Sequence, residues 1–328
     1  SGANAGDDQY ALRPTGTARG QLLLFFNGSG GSPRGAIASA WAVMHHLGDD
    51  GYEPVLGENV LSRHLHQAGT PDERLSDLLW SLSDPTISGV VCARGGEGAT
   101  ALLPWLEAAE VQPRVFCGYS DVTALHAWLQ RNGWITFHGP MVATEMDKAA
   151  GFDASSFTGE VTGVRSAPSI PVKLLRGGQA EGTLTGGCLS ILTSLSGTEW
   201  ALPWTGRSVL LLEDVGEPPY KLHRMLVQLR DAGGLRDVQG IIFGAMEGCA
   251  PSSTDGFTLE DVLLDALGGF DGPVAIGAPL GHCSAPMLTL PLGARVLLSA
   301  DDAGSTGAGR LHLLEPGVSD DVVVDLDA

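Results

Sequence analysis

PRVFCGYSDVTALHAWLQRNG, residues 113–133, decides how the first half of the chain folds. PRVFCG is a short, largely apolar run of the kind that forms a buried strand in a parallel sheet. A tight polar turn follows, and from Asp121 the pattern is helical until Gly133, which is placed to end the helix. Ser120 stands where strand gives way to helix. Serine is among the best N-caps, so its position has an ordinary explanation. The same turn also lifts a hydroxyl above the sheet, with the first helix N–H groups aimed where an oxyanion would form, as a nucleophile requires. The pattern is not G-x-S-x-G, so a standard α/β-hydrolase elbow is not supported. On these residues alone, cap and nucleophile both stand.

Outward from that fragment, QLLLFF (21–26), SGVVCA (88–93) and helical patterns over 35–47 and 71–82 alternate strand with helix. That alternation predicts an α/β fold, a parallel sheet covered by helices, over an N-terminal domain 1–150 that carries Ser120. From about Gly151 to Pro171 the helical period is lost and Ser, Thr, Gly and Pro accumulate, which predicts a crossing between domains over 151–175. Beyond it come Gly-punctuated strands, SVLLLED, GIIFGAM, PVAIGAPLG, ARVLLSA and RLHLLEP, with helices over 219–232 and 258–268. A C-terminal β-rich α+β domain over 176–328 is the expectation, and 328 residues suit two domains.

The charge balance narrows the partners. With 38 acidic against 19 basic residues, a net charge of -19, the chain repels phosphate backbones and anionic lipid headgroups, so no nucleic acid and no membrane surface is expected. No apolar run approaches the ~20 residues of a membrane span, and the opening Ser1 to Gly20 lacks the apolar centre of a signal peptide. A chain that starts at Ser1 leaves room for an upstream segment removed by processing. Five scattered cysteines, Cys92, Cys117, Cys188, Cys249 and Cys283, without a C-x-x-C pair predict reduced, mostly buried thiols, a cytoplasmic setting and no structural zinc. His64 and His66 in SRHLHQ have no further metal-ligand pattern around them and are read as solvated.

A hydroxyl is a weak nucleophile until a base takes its proton, so a catalytic Ser120 needs partners from elsewhere. Of nine histidines, His282 follows PVAIGAPLG, where a side chain at a strand end is aimed into a cleft; an ordinary loop histidine is the alternative. Glu213 ends the apolar strand RSVLLLE, where a carboxylate is costly unless a donor such as imidazole pairs with it. Asp214 and Glu217 suit the start of the following helix. CARGGEGAT (92–100) is a strand-end glycine loop without the Lys-Ser or Lys-Thr of a P-loop, and its paired glycines let a backbone N–H come close to a reacting group. NGSGGSPRG (27–35) has Pro33 where a dinucleotide loop requires glycine, so it is read as a turn with no cofactor.

As a set, GVVCARGGEGAT, FCGYSDVTALH, TFHGPM (136–141), GTLTGGCLSILTSLSGT (182–198), LLLEDVGEPPYKLHRMLVQL and APLGH resemble the LD-carboxypeptidases. These are serine peptidases of peptidoglycan recycling, whose relatives include the microcin C self-immunity amidases. The resemblance runs from about residue 70 to 290. It implies a triad of Ser120 as nucleophile, His282 as base and Glu213 orienting the imidazole. The oxyanion hole would be the backbone N–H groups of Gly96 and Asp121, with Gly95 beside the substrate; Glu97 is read separately as a contact of the bound peptide, with a solvated loop glutamate as the alternative. It further implies a flavodoxin-like N-terminal domain, no metal or cofactor, a homodimer, and a murein tetrapeptide cut before its terminal D-Ala. Three departures bear on substrate contacts: Glu97 where relatives carry tyrosine in RGGYG, Cys188 where they carry asparagine, and NGSGG after the first strand. Two other functions fit the same residues. One is hydrolysis of a peptidyl or aminoacyl adenylate mimic; the other is non-catalytic muropeptide binding with Ser120 as a plain cap.

Overall fold

The computed structural model describes residues 13, 22–26, 53–106, 109, 111–146, 148, 150–163, 169–202, 206–284, 286–302 and 304–319. The expected helix over 35–47 and the NGSGG turn lie outside the described residues. In the first half, β1 (Leu22–Phe26), β2 (Glu53–Leu56), β3 (Ile87–Cys92), β4 (Val115–Gly118) and β5 (Thr136–His138) are parallel in the order β2-β1-β3-β4-β5. This is the flavodoxin order, in which ligands bind outside the carboxyl ends of the strands. The glycine loop follows β3 and Ser120 follows β4, so both lie at that end. Every residue of β4 is buried, as its apolar sequence requires.

Helix α1 (Pro71–Ser83) starts at a capping box: the Thr70 hydroxyl accepts from Glu73 N, and the Glu73 carboxylate accepts from Thr70 N at 2.7 Å. Helix α2 (Thr123–Arg131) is buried from Thr123 through Gln130. Such a helix has no solvent face, because the second half of the chain lies against it. There, β6 (Ser169–Arg176), β7 (Gln179–Cys188), β8 (Ser208–Val215), β9 (Val238–Glu247), β10 (Val274–Ile276), β12 (Arg295–Ala300) and β13 (Gly307–Leu313) close a barrel in the order β10-β6-β13-β12-β7-β8-β9. The β7-β8-β9-β10 run is parallel, and the remaining pairings are antiparallel. Helices α4 (Leu189–Leu195), α5 (Pro219–Leu229) and α6 (Leu259–Ala266) make the parallel crossovers.

Two features depart from the sequence reading. The segment expected as a crossing, 151–175, carries α3 (Ala154–Thr162) and most of β6. Its Ser, Gly and Asp content includes cap chemistry: Asp153 accepts from Ser156 N at 2.8 Å, while Phe157 and Val161, one turn apart, enter a core cluster with Val115, Cys117 and Phe137. The second departure is β11 (Leu290–Leu292), which leaves the C-terminal half and pairs antiparallel with β5, so the first sheet is six-stranded, β11-β5-β4-β3-β1-β2. One apolar cluster joins the halves, from Leu78, Phe116 and Trp128 to Leu210, Phe243 and Val274.

Candidate active site

At Ser120 the backbone turns from β4 into a short 3-10 turn, Ser120–Val122, that feeds α2. Its φ is +64°, a left-handed conformation costly for a residue with a Cβ. The Ser120 hydroxyl caps neither the turn nor α2. It makes no hydrogen bond to another described residue, so the plain-cap account has no bond to rest on. Gly95, in the loop after β3, comes so close that a Cβ there would lie 2.7 Å from Ser120 Cβ and 2.8 Å from its Oγ. No other residue type fits that approach. Gly96, next along, has φ +131° and is exposed.

The carboxyl end of β8 delivers Glu213, fully buried, and the loop after β10 delivers His282, half-buried. Glu213 Oε2 accepts from His282 Nδ1 at 2.7 Å and from His282 N at 3.1 Å. A carboxylate facing Nδ1 fixes the tautomer with its proton there and leaves Nε2 as the ring's acceptor. Burial raises the Glu213 carboxyl, and the His282 hydrogen bonds offset part of that. Burial also pulls His282 down, yet the Glu213 bond and charge outweigh it and leave the imidazole above the usual histidine range. Gly281 is the second glycine the site requires: at φ +83°, its absent Cβ would lie 2.3 Å from Glu213 Oε2.

Tyr119 links the two halves of the site. Its ring meets the His282 ring edge-on at 4.9 Å between centroids, one residue before Ser120. Its hydroxyl donates to Glu145 Oε1 at 2.7 Å, and Glu145 Oε2 in turn accepts from the Thr144 hydroxyl and Met141 N. Burial and the Glu145 charge push the Tyr119 phenol far up, so it stays a neutral donor. The sequence reading missed both residues. A tyrosine inside an otherwise apolar strand end was the available signal for Tyr119; Glu145 left none.

His126, three residues into the helix pattern, is a strut rather than a base. Its Nε2 meets the Gly118 carbonyl at 2.9 Å, which can only accept, so Nε2 carries the proton and Nδ1 accepts from Thr136 Oγ1 at 2.8 Å. Burial drops its pKa to about 4.

Other expectations shift place. Asp214 does not serve the helix that follows it: buried, it accepts from Ser190 N at 2.8 Å at the start of α4 and from Val215 N at 2.9 Å. Glu217 pairs with Lys221 one turn on, at 3.3 Å. Glu97 is exposed beside the glycine loop, and its Oε1 is held by Gln67 Nε2 and by His66 Nε2 at 2.7 Å. His66 is thus solvated but not idle. Asp121 is buried, and its Oδ2 accepts from Ala99 N at 2.9 Å, tying the glycine loop to the residue after Ser120. Among the described residues no group of His, Cys, Asp and Glu is arranged to hold a metal ion.

Residues 27–139 match the family model described as the LD-carboxypeptidase N-terminal domain, and 181–298 match that of the LD-carboxypeptidase C-terminal domain. The chain belongs to the LD-carboxypeptidase family. Relatives of the LD-carboxypeptidase type include the murein tetrapeptide carboxypeptidase of Pseudomonas aeruginosa, 33% identical over 76% of this chain and 86% of that protein. Another relative is the microcin C7 self-immunity protein MccF of Escherichia coli, 28% identical over 87% of this chain and 92% of that one. Among solved structures, wild-type apo MccF superposes with a TM-score of 0.81 at 25% identity, covering 94% of this chain and all of that one, 100%. The muramoyltetrapeptide carboxypeptidase of Oxalobacter formigenes superposes at 0.74 with 27% identity, covering 90% of this chain and 99% of that one.

Proposed function

We propose that the chain is a serine LD-carboxypeptidase that releases the terminal D-Ala of murein tetrapeptides in peptidoglycan recycling. One observation carries the reading: a fully buried Glu213 bonded to His282 Nδ1 at 2.7 Å, with Tyr119 bridging from that ring to Ser120. A buried carboxylate set against imidazole is what a base needs, since it fixes the tautomer and stabilises the imidazolium that forms. Ser120 Oγ attacks the carbonyl of the L-diamino acid and His282 Nε2 takes the hydroxyl proton. The N–H groups of Gly96 and Asp121 hold the tetrahedral oxyanion, and the proton passes to the departing D-Ala amine. Water then attacks the acyl-enzyme by the same route in reverse. The Ser120–His282 hydrogen bond forms when substrate fills the site, as such bonds often tighten only in the complex.

Glu97 contacts the peptide beside Gly95, with one carboxylate oxygen already held by His66 and Gln67 and the exposed side chain facing a cationic group such as the free amino group of the diamino acid. All five cysteines are free, which supports a reducing cytoplasm. A homodimer belongs to the same reading, and sedimentation tests it.

The deciding experiment incubates the protein with purified tetrapeptide and with its C-terminally amidated form, reading D-Ala release by mass spectrometry. Release from the free acid, abolished by Ser120→Ala and His282→Ala at a cost on the order of 10⁶ in kcat, is expected. Binding without release would leave a muropeptide-binding protein instead. The full-length superposition on MccF favours a second reading, hydrolysis of an aminoacyl-nucleotide mimic by the same groups. Cleavage of such a conjugate in preference to tetrapeptide would select it.

A further inference from the structure

The proposed oxyanion donor sits in a loop that glycine makes pliable. Gly95, Gly96 and Gly98 bring no side chains of their own to fix Arg94–Gly98, and glycine gives up more freedom on ordering than any other residue. An oxyanion donor is useful only when held within about half an ångström of its working place. Two buried charged residues meet the loop's far end. Arg74, from α1, is 1% exposed and donates through Nη1 to Gly98 O at 2.8 Å and through Nη2 to Gln67 Oε1 at 3.0 Å. Gln67 in turn donates to Glu97, so the same guanidinium steadies the loop through two routes. Asp121 is 2% exposed and accepts from Ala99 N at 2.9 Å. Burying a cation and a carboxylate is unfavourable unless each finds partners, and here Arg74 donates to the Gly98 carbonyl and to Gln67 while Asp121 accepts from Ala99 N.

Resting on the nucleophile reading of Ser120, we propose that Asp121 and Arg74 are positioning residues for the oxyanion hole, clamping the glycine loop onto the turn that carries the serine. Asp121 follows Ser120 directly, so one residue couples the loop to the nucleophile; its own N–H is the second donor. The charged groups facing its carboxylate are Arg74 from α1 and Glu97 from the glycine loop, with the Cys92 thiol at the end of β3 beside them. Burial carries this carboxyl up to about 6, against the Ala99 hydrogen bond, with Glu97 adding to the rise and Arg74 opposing it. The carboxylate that grips Ala99 N–H is therefore present above about pH 6, and the clamp loosens as pH falls through that value.

The test is the rate at which a fluorophosphonate labels Ser120, followed across pH for the wild type, Asp121→Ala and Asp121→Asn, with thermal melts of each. Labelling needs the nucleophile, the base and the oxyanion hole but no particular peptide. Asp121→Ala is expected to label about 10²-fold more slowly at pH 8, the effect of losing one oxyanion donor. Asp121→Asn keeps an oxygen for Ala99 N–H; it is expected to recover at least about tenfold of that loss and to lack the inflection near 6 while keeping the separate one that His282 imposes at higher pH. Wild-type labelling by Asp121→Ala, equal rates for the two variants, or an unchanged inflection near 6 in Asp121→Asn overturns the proposal. Should Asp121→Ala fail to fold, that inflection in Asp121→Asn decides. D-Ala release measured alongside separates the two readings: a wild type that labels but releases nothing loses only its substrate, whereas one that does not label loses both.

Discussion

At Ser120 a strained φ, a hydroxyl with no capping duty and a glycine at contact distance meet in one residue, while the carboxylate that faces the His282 imidazole lies on another strand altogether. The proposed roles make sharp residue-level predictions. His282 must be neutral to accept a proton, and its pKa is raised, so kcat/KM should fall as pH drops through a value above the usual ~6.5. Stability runs the other way: a raised imidazole pKa stabilises the fold most below the unfolded value and loses that contribution as pH rises through the folded one. Glu213→Gln removes the charge that holds the pKa up, leaving burial to pull it down. The acid limb should therefore move to lower pH while kcat drops by roughly 10⁴, and an unmoved limb in a pH–rate profile would count against the pair. Gly281→Ala forces the Glu213 carboxylate aside and should lower both kcat and the melting temperature. Glu97→Gln should raise KM several-fold with kcat held, and unchanged kinetics on every muropeptide would remove its proposed contact.

The elements show how the turn at Ser120 is joined to the strands that carry the Glu213–His282 pair. Helix α2 grows out of the Ser120 turn, and its first residue docks on the barrel: Thr123 Oγ1 accepts from Cys188 N at 3.0 Å, while Thr185 Oγ1 donates to Gln130 Oε1 at 2.8 Å further along. Cys188 lies in register with Glu213 on the neighbouring strand, so the bond at Thr123 ties the helix that follows Ser120 to the strand pair that carries Glu213. It uses the backbone of Cys188, so it does not depend on the side chain at that position. Thr123→Val leaves that buried N–H unpaired, at a cost of about 1–3 kcal/mol, and should lower kcat along with the melting temperature. Thr123→Ser should restore both. Most of these elements were legible beforehand, β4 and α2 from the 113–133 pattern and α1 from the helical pattern over 71–82. The helix α3 was not, because Asp153 and the serines around it read equally as a turn, and only the burial of Phe157 and Val161 makes them a helix start.

For the whole molecule, the shared apolar cluster and the strand β11, which crosses from one half to complete the other's sheet, join the two halves, and the expectation is that they unfold as one unit. Fluorescence and far-ultraviolet circular dichroism should therefore report a single, coincident urea transition. Residues 1–168 expressed alone, lacking β11 and the barrel that covers α2, should not fold. Two separated transitions would show that the halves are independent domains. The sequence by itself determined the parallel α/β half and the β-rich half, because strand ends, helix starts and glycine loops are written in local pattern, whereas the three side chains of the proposed triad were chosen over their ordinary alternatives only by the family resemblance. Only the tertiary structure decided that Glu213 faces His282 Nδ1, that Tyr119 reaches that ring, that Arg74 and Asp121 grip the glycine loop, and that β11 changes sheets. Those contacts join residues far apart along the chain, and local periodicity carries no information about which distant partners a buried polar atom will meet.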